Sequence, residues 1–413
     1  MDNYRIFGQN AIISNDSRET GLNNNDLIIG QSGSAKTGSY VSPNLQVINH
    51  SLIVTDTKRQ LYYDYGYSLT ERGFKVMMID FKEPYCSLNA YNPLRFVRRN
   101  SDGSFREQDI ITIAKSLVPI LDKNEPFWEQ AARSFVSCMI GYVLEFTPEE
   151  NHNMVGVMKA YQDYNNPEKR MKFDMTLLEH PDSFYARRYV QMNSSQKAEK
   201  MWASIQAFVA EALNPFDAAE YHYLLGNNCM DQLDFDSLGR QRTVLFLNVS
   251  DSDRTFDPIV NLLYTQAFQV LIREADMSRD GRLHIPVRFI LDDFATNTTI
   301  PDFDKLISVI RSREIYVSII LQCKSQLESI YNTAVANTIA NNCDHTLYLG
   351  GHDRETAEYV AINADDSIEN VLTMPRDQAY LIETGTRARV IRKITPLSKV
   401  KARSDAPGNE PEV

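Results

Sequence analysis

Cysteine is scarce. Cys86, Cys138, Cys229, Cys323 and Cys343 are the only five in 413 residues, and none forms a C-x-x-C pair. An odd, scattered set excludes a disulfide framework and reads as reduced cytosolic thiols, mostly core fillers. Long apolar runs are missing too: none approaches the ~18 residues that span a bilayer. Met1 is followed by the polar run DNYRIFGQN, which excludes a signal peptide. The chain as given is therefore expected to be soluble, with any membrane anchor removed or supplied by a partner. Positive charge is in deficit, with 43 Lys and Arg against 54 Asp and Glu, a net charge of −11. That argues against a protein coating nucleic acid with its whole surface and leaves room for a local basic channel. Tryptophan occurs twice, at Trp128 and Trp202, both expected in a core rather than as ligand platforms. No Ser-His-Asp set and no paired catalytic carboxylates of a hydrolase stand out. What remains is ordinary globular material, 43% hydrophobic and 23% charged, long enough for one large core or two modest ones with an inserted subdomain.

One stretch organises the rest: DLIIGQSGSAKT, Asp26 to Thr37. Asp26 to Ile29 read as a short buried strand, Gly30 and Gly33 as a tight loop, and Lys36-Thr37 as the opening of a helix. Strand, glycine loop and helix N-terminus in that order make a phosphate-binding P-loop. Backbone N–H groups of Gly30, Gln31, Ser32, Gly33, Ser34, Ala35, Lys36 and Thr37 are expected to close around the β- and γ-phosphates of ATP. The helix dipole adds positive potential there. Lys36 would neutralise the phosphates, and the Thr37 hydroxyl would hold Mg²⁺. Ala35 stands where glycine is commonest; its single methyl is expected to be tolerated in the helical dihedrals of a helix start.

Along the chain, residues 1–25 are polar and read as irregular. The helix after the loop is expected from Lys36 to Val47, kinked or ended near Pro43. SLIVTD (Ser51 to Asp56) and FKVMMID (Phe74 to Asp80) are apolar strands with a helix from Arg59 to Arg72 between them. This alternation means a mainly parallel α/β sheet. From about Phe105 to Leu238 the period becomes helical, with Phe127, Ala131, Phe135, Cys138, Tyr142 and Phe146 at three- and four-residue steps. The sheet resumes with TVLFLNV (Thr243 to Val249), a helix from Pro258 to about Met277, and VRFILDDF (Val287 to Phe294). A helix from Asp302 to Arg313, the strand YVSIILQ (Tyr316 to Gln322), a helix around Ser325 to Ala340 and HTLYLG (His345 to Gly350) follow. A hairpin turning at Gly385 closes the order. The expected division is a RecA-like P-loop nucleotide-binding domain in two parts, 1–104 and 241–400. An all-α domain, 105–240, is inserted between them, and the Pro-rich polar tail 401–413 is disordered.

An apolar strand ending in Asp292-Asp293 is the partner a P-loop needs. Asp292 stands where a Walker B carboxylate would hold Mg²⁺ through water, and Asp293 where a carboxylate would orient and deprotonate the attacking water. Phosphoryl transfer depends mostly on positioning and charge stabilisation, so few groups are required. Gln322, ending the next strand, is placed as a sensor of the γ-phosphate or the lytic water. Arg311 and Arg313 end the intervening helix; in a ring ATPase one of them, Arg311 foremost, could reach a neighbour's site as an arginine finger. Asp56 and Lys58 lie at the carboxyl edge where α/β proteins bind ligands. Cys343 and His345 share a strand face but have no further ligands for a metal.

The sequence resembles the type IV coupling proteins of conjugation and type IV secretion (the VirD4/TraG/TraD group), within the FtsK/HerA-like ring ATPases. The resemblance is carried by Gly30 to Leu45, by Thr55 to Asp80, by YNPL (Tyr91 to Leu94), and most strongly by FILDDFATNTTIPDFDKLISVIRSREIYVSIILQCKSQL (Phe289 to Leu327). NCDHTLYLGG and MPRDQAYLI extend it nearly to the end. It implies a homo-hexameric ATP- and Mg²⁺-dependent motor at the inner, cytoplasmic face of the cell membrane. Such a motor passes single-stranded DNA with its relaxase, or effector proteins, to a type IV secretion channel. Thr57 and Arg59 replace the family's usual proline and glycine after the second strand, Asp293 replaces its glutamate, and the family's N-terminal membrane helices are absent from the sequence. A cytosolic DNA translocase of the same superfamily, or a nucleotide-binding adaptor that recruits substrates without pumping, are the alternative readings.

Overall fold

The computed structural model describes residues 3–120, 126–193, 199–226, 230–294 and 299–394. Its frame is one nine-stranded sheet. In chain order the strands are β1 (Tyr4–Gly8), β2 (Ala11–Ser14), β3 (Asp26–Ile29), β4 (Ser51–Thr55), β5 (Lys75–Asp80), β6 (Thr243–Asn248), β7 (Val287–Leu291), β8 (Ile315–Leu321), β9 (His345–Tyr348), β10 (Gln378–Glu383) and β11 (Arg389–Arg392). β1 and β2 form a separate hairpin, and the sheet order is β11-β10-β9-β3-β8-β7-β4-β6-β5. β9, β3, β8, β7, β4, β6 and β5 are parallel; only β10 runs against them, and the β10–β11 hairpin, turning through Gly385 (φ 81°), brings β11 back to their direction. The mainly parallel α/β sheet is as expected.

The parallel strands are buried on both faces, which is why they read as unbroken apolar runs. Alternate side chains feed two cores. Ile28, Leu52, Val54 and Met78 pack under the helices Ser42–Val47 and Gln60–Glu71 and against Phe7, Ala11 and Ile13 of the N-terminal hairpin. Leu27, Ile29, Ile53 and Met77 face the opposite side, against the helix Asp257–Met277 and the helical residues between β5 and β6.

Those residues, Glu107 to Arg240, contain only helical elements among the described residues, and the 20-residue helix Phe127–Phe146 is their axis. Trp202 stacks on Phe135 with centroids 5.4 Å apart, and Trp128 lies edge-on to Phe127; both are partly buried and pack against the core. β5 and β6 pair directly, in register from Lys75↔Thr243 to Asp80↔Asn248. The helical residues thus fill one crossover between neighbouring strands. Its ends are tied by Ala90 N donating to Asp231 O (2.9 Å) and Leu233 N to Ala90 O (2.8 Å).

Four expectations need correction. Residues 1–25 are not irregular: the β1–β2 hairpin occupies them, with Arg5 buried where the hairpin meets β3. The helix after the P-loop opens as a π-turn, Thr37–Val41, and the α-helix starts only at Ser42–Val47. The irregularity expected near Pro43 is thus present, as a π-turn in the residues just before the proline within one helical stretch. The helix expected around Ser325 to Ala340 is two, Lys324–Tyr331 and Thr333–Asn341, parted at Asn332 (φ 72°), whose side chain accepts from Val335 N. The segment from Asp302 to Arg313 is helical only through Ile310, then tightens into a 3₁₀ turn. The tail 401–413 lies outside the described residues. Among the described residues no helix is long and apolar enough to cross a membrane.

Candidate functional site

β3, β8 and β7 end side by side at one edge of the sheet, and each delivers part of the site. Gly30 N donates to Leu321 O (3.0 Å) and Gln31 N to Gly350 O (3.1 Å), so the loop is anchored to the strands on both sides before it turns. Gly30 cannot be larger: a Cβ there would sit 2.3 Å from Ser34 Oγ. Gly33 takes φ +79°, the left-handed conformation glycine adopts without cost.

Ala35 takes it as well, at φ 70°. This corrects the expectation of helical dihedrals. Lys36 (φ −47°, ψ −57°) is the first helical residue, and the chain turns over one position earlier. The usual glycine at that position is thereby explained, and alanine holds the turn under strain.

Lys36 Nζ donates to Gly30 O at 2.9 Å and stands 4.0 Å from Asp293 Oδ1. Thr37 Oγ1 donates to Asp292 Oδ2 at 3.1 Å, joining residues 255 positions apart. Asp293 N donates to Asp292 Oδ1 (3.0 Å), and Asp293 itself is left-handed (φ 49°), a conformation aspartate tolerates better than most residues. Burial, and then the neighbouring Asp293 charge, push the Asp292 carboxyl up to about 6. A divalent cation beside two such carboxylates removes that repulsion. The residues present fit a magnesium nucleotide: Ser34 Oγ and Asp293 Oδ1 are buried without a hydrogen-bond partner, and the cradle at Gly30 has no space for a side chain.

A cavity of about 490 Å³ opens from Thr37, Asp292 and Asp293 toward Asp56, Lys58 and Gln60. Asp56 is mainly a cap, its Oδ2 accepting from Tyr62 N at 3.0 Å at the start of the helix Gln60–Glu71. Arg59 is left-handed (φ 56°), which accounts for the glycine usual there, and its guanidinium pairs with the buried Asp80.

Gln322 follows β8 at the same edge, next to the loop. Its side chain is exposed, and its backbone N–H donates to Gln326 Oε1 (2.8 Å). Arg311 lies elsewhere. It precedes β8, whose seven residues span about 23 Å at ~3.3 Å each, so it stands at the opposite sheet edge from Lys36. It is exposed and donates to Gly21 O at 2.9 Å. Its neighbours are engaged: Arg313 with Asp276 Oδ1 (2.8 Å), Glu314 with Arg282 and Tyr316. Cys343 and His345 are buried, and no cluster suited to a metal occurs among the described residues.

Two features escaped the sequence. One is a buried polar hub around Asp26, linking Arg5, Tyr40, Arg288 and His345. A strand residue reading as the polar start of an apolar run gave its only trace. The other is Lys393, whose Nζ donates to Leu349 O (2.6 Å) and reaches Ser34 O (3.4 Å).

The fold has solved counterparts. The chain is similar to the bacterial conjugative coupling protein TrwBdeltaN70 in its unbound form, at 14% identity over 94% of this chain and 88% of that one, with a TM-score of 0.66. It is similar to the plasmid coupling protein TrwB in complex with ADP and Mg²⁺ (14% identity, 94% and 89% covered, TM-score 0.67). It also resembles VirB4 of Thermoanaerobacter pseudethanolicus (13% identity, 95% and 96% covered, TM-score 0.57). No curated protein matches the sequence. The model of the type IV secretory system conjugative DNA transfer family matches residues 8–363, most of the chain, and the protein belongs to that family.

Proposed function

We propose that this protein is an ATP-hydrolysing coupling motor that brings single-stranded DNA, with a relaxase or an effector protein, to a type IV secretion channel. The observation that carries the reading is the Thr37–Asp292 hydrogen bond, which brings P-loop and Walker B strand to one point. In this reading Gly30 to Thr37 hold the phosphates of ATP, Lys36 leaves Asp293 for the β- and γ-phosphates, and Thr37 and Asp292 hold Mg²⁺. When bound, the cation offsets charge developing on the phosphate oxygens. Asp293 then accepts the proton of the attacking water and Gln322 orients it. TrwB structures contain ADP with Mg²⁺, or the analogue ADPNP, which supports the same ligands here.

Arg311 stands too far from its own P-loop to serve it, which supports action in a neighbouring copy. Copies joined head to tail close into a ring, and we assign the working state to a homo-hexamer at the cytoplasmic face of the cell membrane, held there by a partner or an anchoring segment. The two parts of the nucleotide-binding domain, 1–104 and 241–400, would form the motor and the helical domain 105–240 its attachment.

Steady-state ATP hydrolysis with and without single-stranded DNA tests the reading: a motor is stimulated several-fold. Nucleotide binding with flat turnover would instead favour the recruiting adaptor, a reading to which the net charge of −11 lends weight.

A further inference from the structure

The end of β11 returns to the phosphate loop. β10 runs against β9 and β11 against β10, so Arg392 leaves the sheet at the same edge as Gly30. The next residue is fixed on several sides. Lys393 N donates to Asp377 O (2.8 Å), and Gln9 Nε2 donates to Lys393 O (3.1 Å). Gln9 N holds Arg392 O (2.8 Å), and Ser39 Oγ, on the helix of the P-loop, donates to Ile394 O (3.1 Å). The half-buried ammonium of Lys393 meets two carbonyls, Leu349 O at 2.6 Å and Ser34 O at 3.4 Å, and forms no ion pair among the described residues.

Ser34 O belongs to the peptide that precedes Ala35. In a trans peptide the C=O and N–H point in opposite directions. Drawing the Ser34 carbonyl toward Lys393 turns the Ala35 N–H the other way, away from Lys393. That is the peptide whose following residue is an alanine at φ 70°. We propose that Lys393 is a positioning residue of the phosphate loop, holding the Ser34–Ala35 peptide in the orientation that a loop with alanine at position 35 cannot hold cheaply alone. This rests on the nucleotide-binding reading of the loop. Burial lowers the Lys393 pKa, in keeping with an ammonium set against backbone rather than in water. Lysine at this place and alanine at position 35 are then one arrangement: the cation offsets the strain that glycine would avoid.

The test is a double-mutant cycle on the full chain, read with a fluorescent ADP analogue and by amide exchange without nucleotide. Lys393→Met is expected to weaken ADP binding about tenfold and to speed exchange at Ala35 and Lys36, with Lys393→Arg restoring most of both. With Ala35→Gly in place, Lys393→Met should cost about twofold or less, because glycine adopts the left-handed turn unaided. An equal loss in both backgrounds overturns the proposal, since the lysine would then act on the nucleotide itself. Unchanged binding and exchange in Lys393→Met overturn it as well. Should Lys393→Met fold poorly by thermal unfolding, Lys393→Gln is carried through the same cycle. A wild-type chain that binds no ADP would remove the nucleotide-binding reading and this proposal together, a result distinct from either of the others.

Discussion

Arg288 Nη1 on β7 lies 2.7 Å from Asp26 Oδ2 on β3, although β8 runs between the two strands. The guanidinium also meets Ser318 Oγ on that middle strand (2.9 Å). Arg5 Nε reaches the other carboxylate oxygen at 3.0 Å, and Tyr40 OH, from the P-loop helix, donates to Asp26 at 2.6 Å. Burial alone would raise the Asp26 carboxyl, but Arg5, Arg288 and His345 outweigh it and hold it below the usual range. One carboxylate thus ties the strand that carries the P-loop to the strand that carries Asp292.

Asp26→Asn leaves two buried guanidinium groups without their counter-charge. A loss of about 3–5 kcal/mol in unfolding free energy is expected, the size measured when one partner of a buried pair is removed. Urea unfolding checks it; a change under about 1 kcal/mol would mean that the hub is solvated in the free chain.

Lys36→Ala should abolish hydrolysis and weaken ATP binding, because no other cation lies within the loop itself. Asp293→Asn should stop hydrolysis and spare binding, since the amide cannot take up the water's proton. Separate turnover and binding assays on each variant check the pair. Wild-type turnover in either would move the chemistry elsewhere.

Arg311→Ala should cut turnover strongly, within the ~10³–10⁵-fold that a finger contributes in GTPases, and barely change ATP affinity. Mixing Arg311→Ala subunits with Lys36→Ala subunits should partly restore activity, because some interfaces then pair an intact Lys36 with a neighbour's intact Arg311. Mixed oligomers that stay inactive would limit Arg311 to its bond with Gly21.

His50 is buried with no hydrogen-bond partner at either ring nitrogen, and burial, followed by the Arg288 and Arg5 charges, pushes its pKa down to about 3. Its unfolded value is near 6.5, so the unfolded chain takes up the proton first as pH falls. The stability that neutral His50 contributes is whole above about pH 6.5 and is lost progressively toward pH 3, roughly 1.4 kcal/mol per unit. His50→Leu should therefore lose about 2 kcal/mol less than wild type between pH 7 and pH 5. Urea titrations at both values decide it; equal losses would mean that His50 is wet in the folded protein.

Much of the sheet was legible because doubly buried parallel strands leave runs such as Leu52 to Val54 and Phe289 to Leu291, each closing on polar residues at the ligand edge. Lys36, Thr37, Asp292 and Asp293 could be picked out for the same reason. The β1–β2 hairpin was not legible, since burying Arg5 breaks the apolar pattern by which short strands are recognised. Its partner Asp26 is 21 positions away, and composition says nothing of that pairing. Nor does sequence report a φ angle. Ala35 is an unremarkable helix former, and only the turn-over before Lys36 forces it left-handed. Asn332 carried a fair hint, being a residue that tolerates positive φ, but apolar periodicity on both sides concealed the break.

The crossover between β5 and β6 begins and ends on one pair of backbone hydrogen bonds, at Ala90 with Asp231 and Leu233. Chain length inside it is therefore nearly decoupled from the sheet. Closing a longer flexible segment between fixed ends costs only about 0.6 kcal/mol per doubling. The helices that pack on Asp257–Met277 must keep their apolar faces, while an outer one such as Pro167–Glu179, with Met171, Met175 and Leu178 exposed, is held mainly through Phe173 and Leu177 and is under less restraint. Over evolutionary time residues can be gained or lost there without shifting Lys36 against Asp292, so length differences between relatives should concentrate in that outer part.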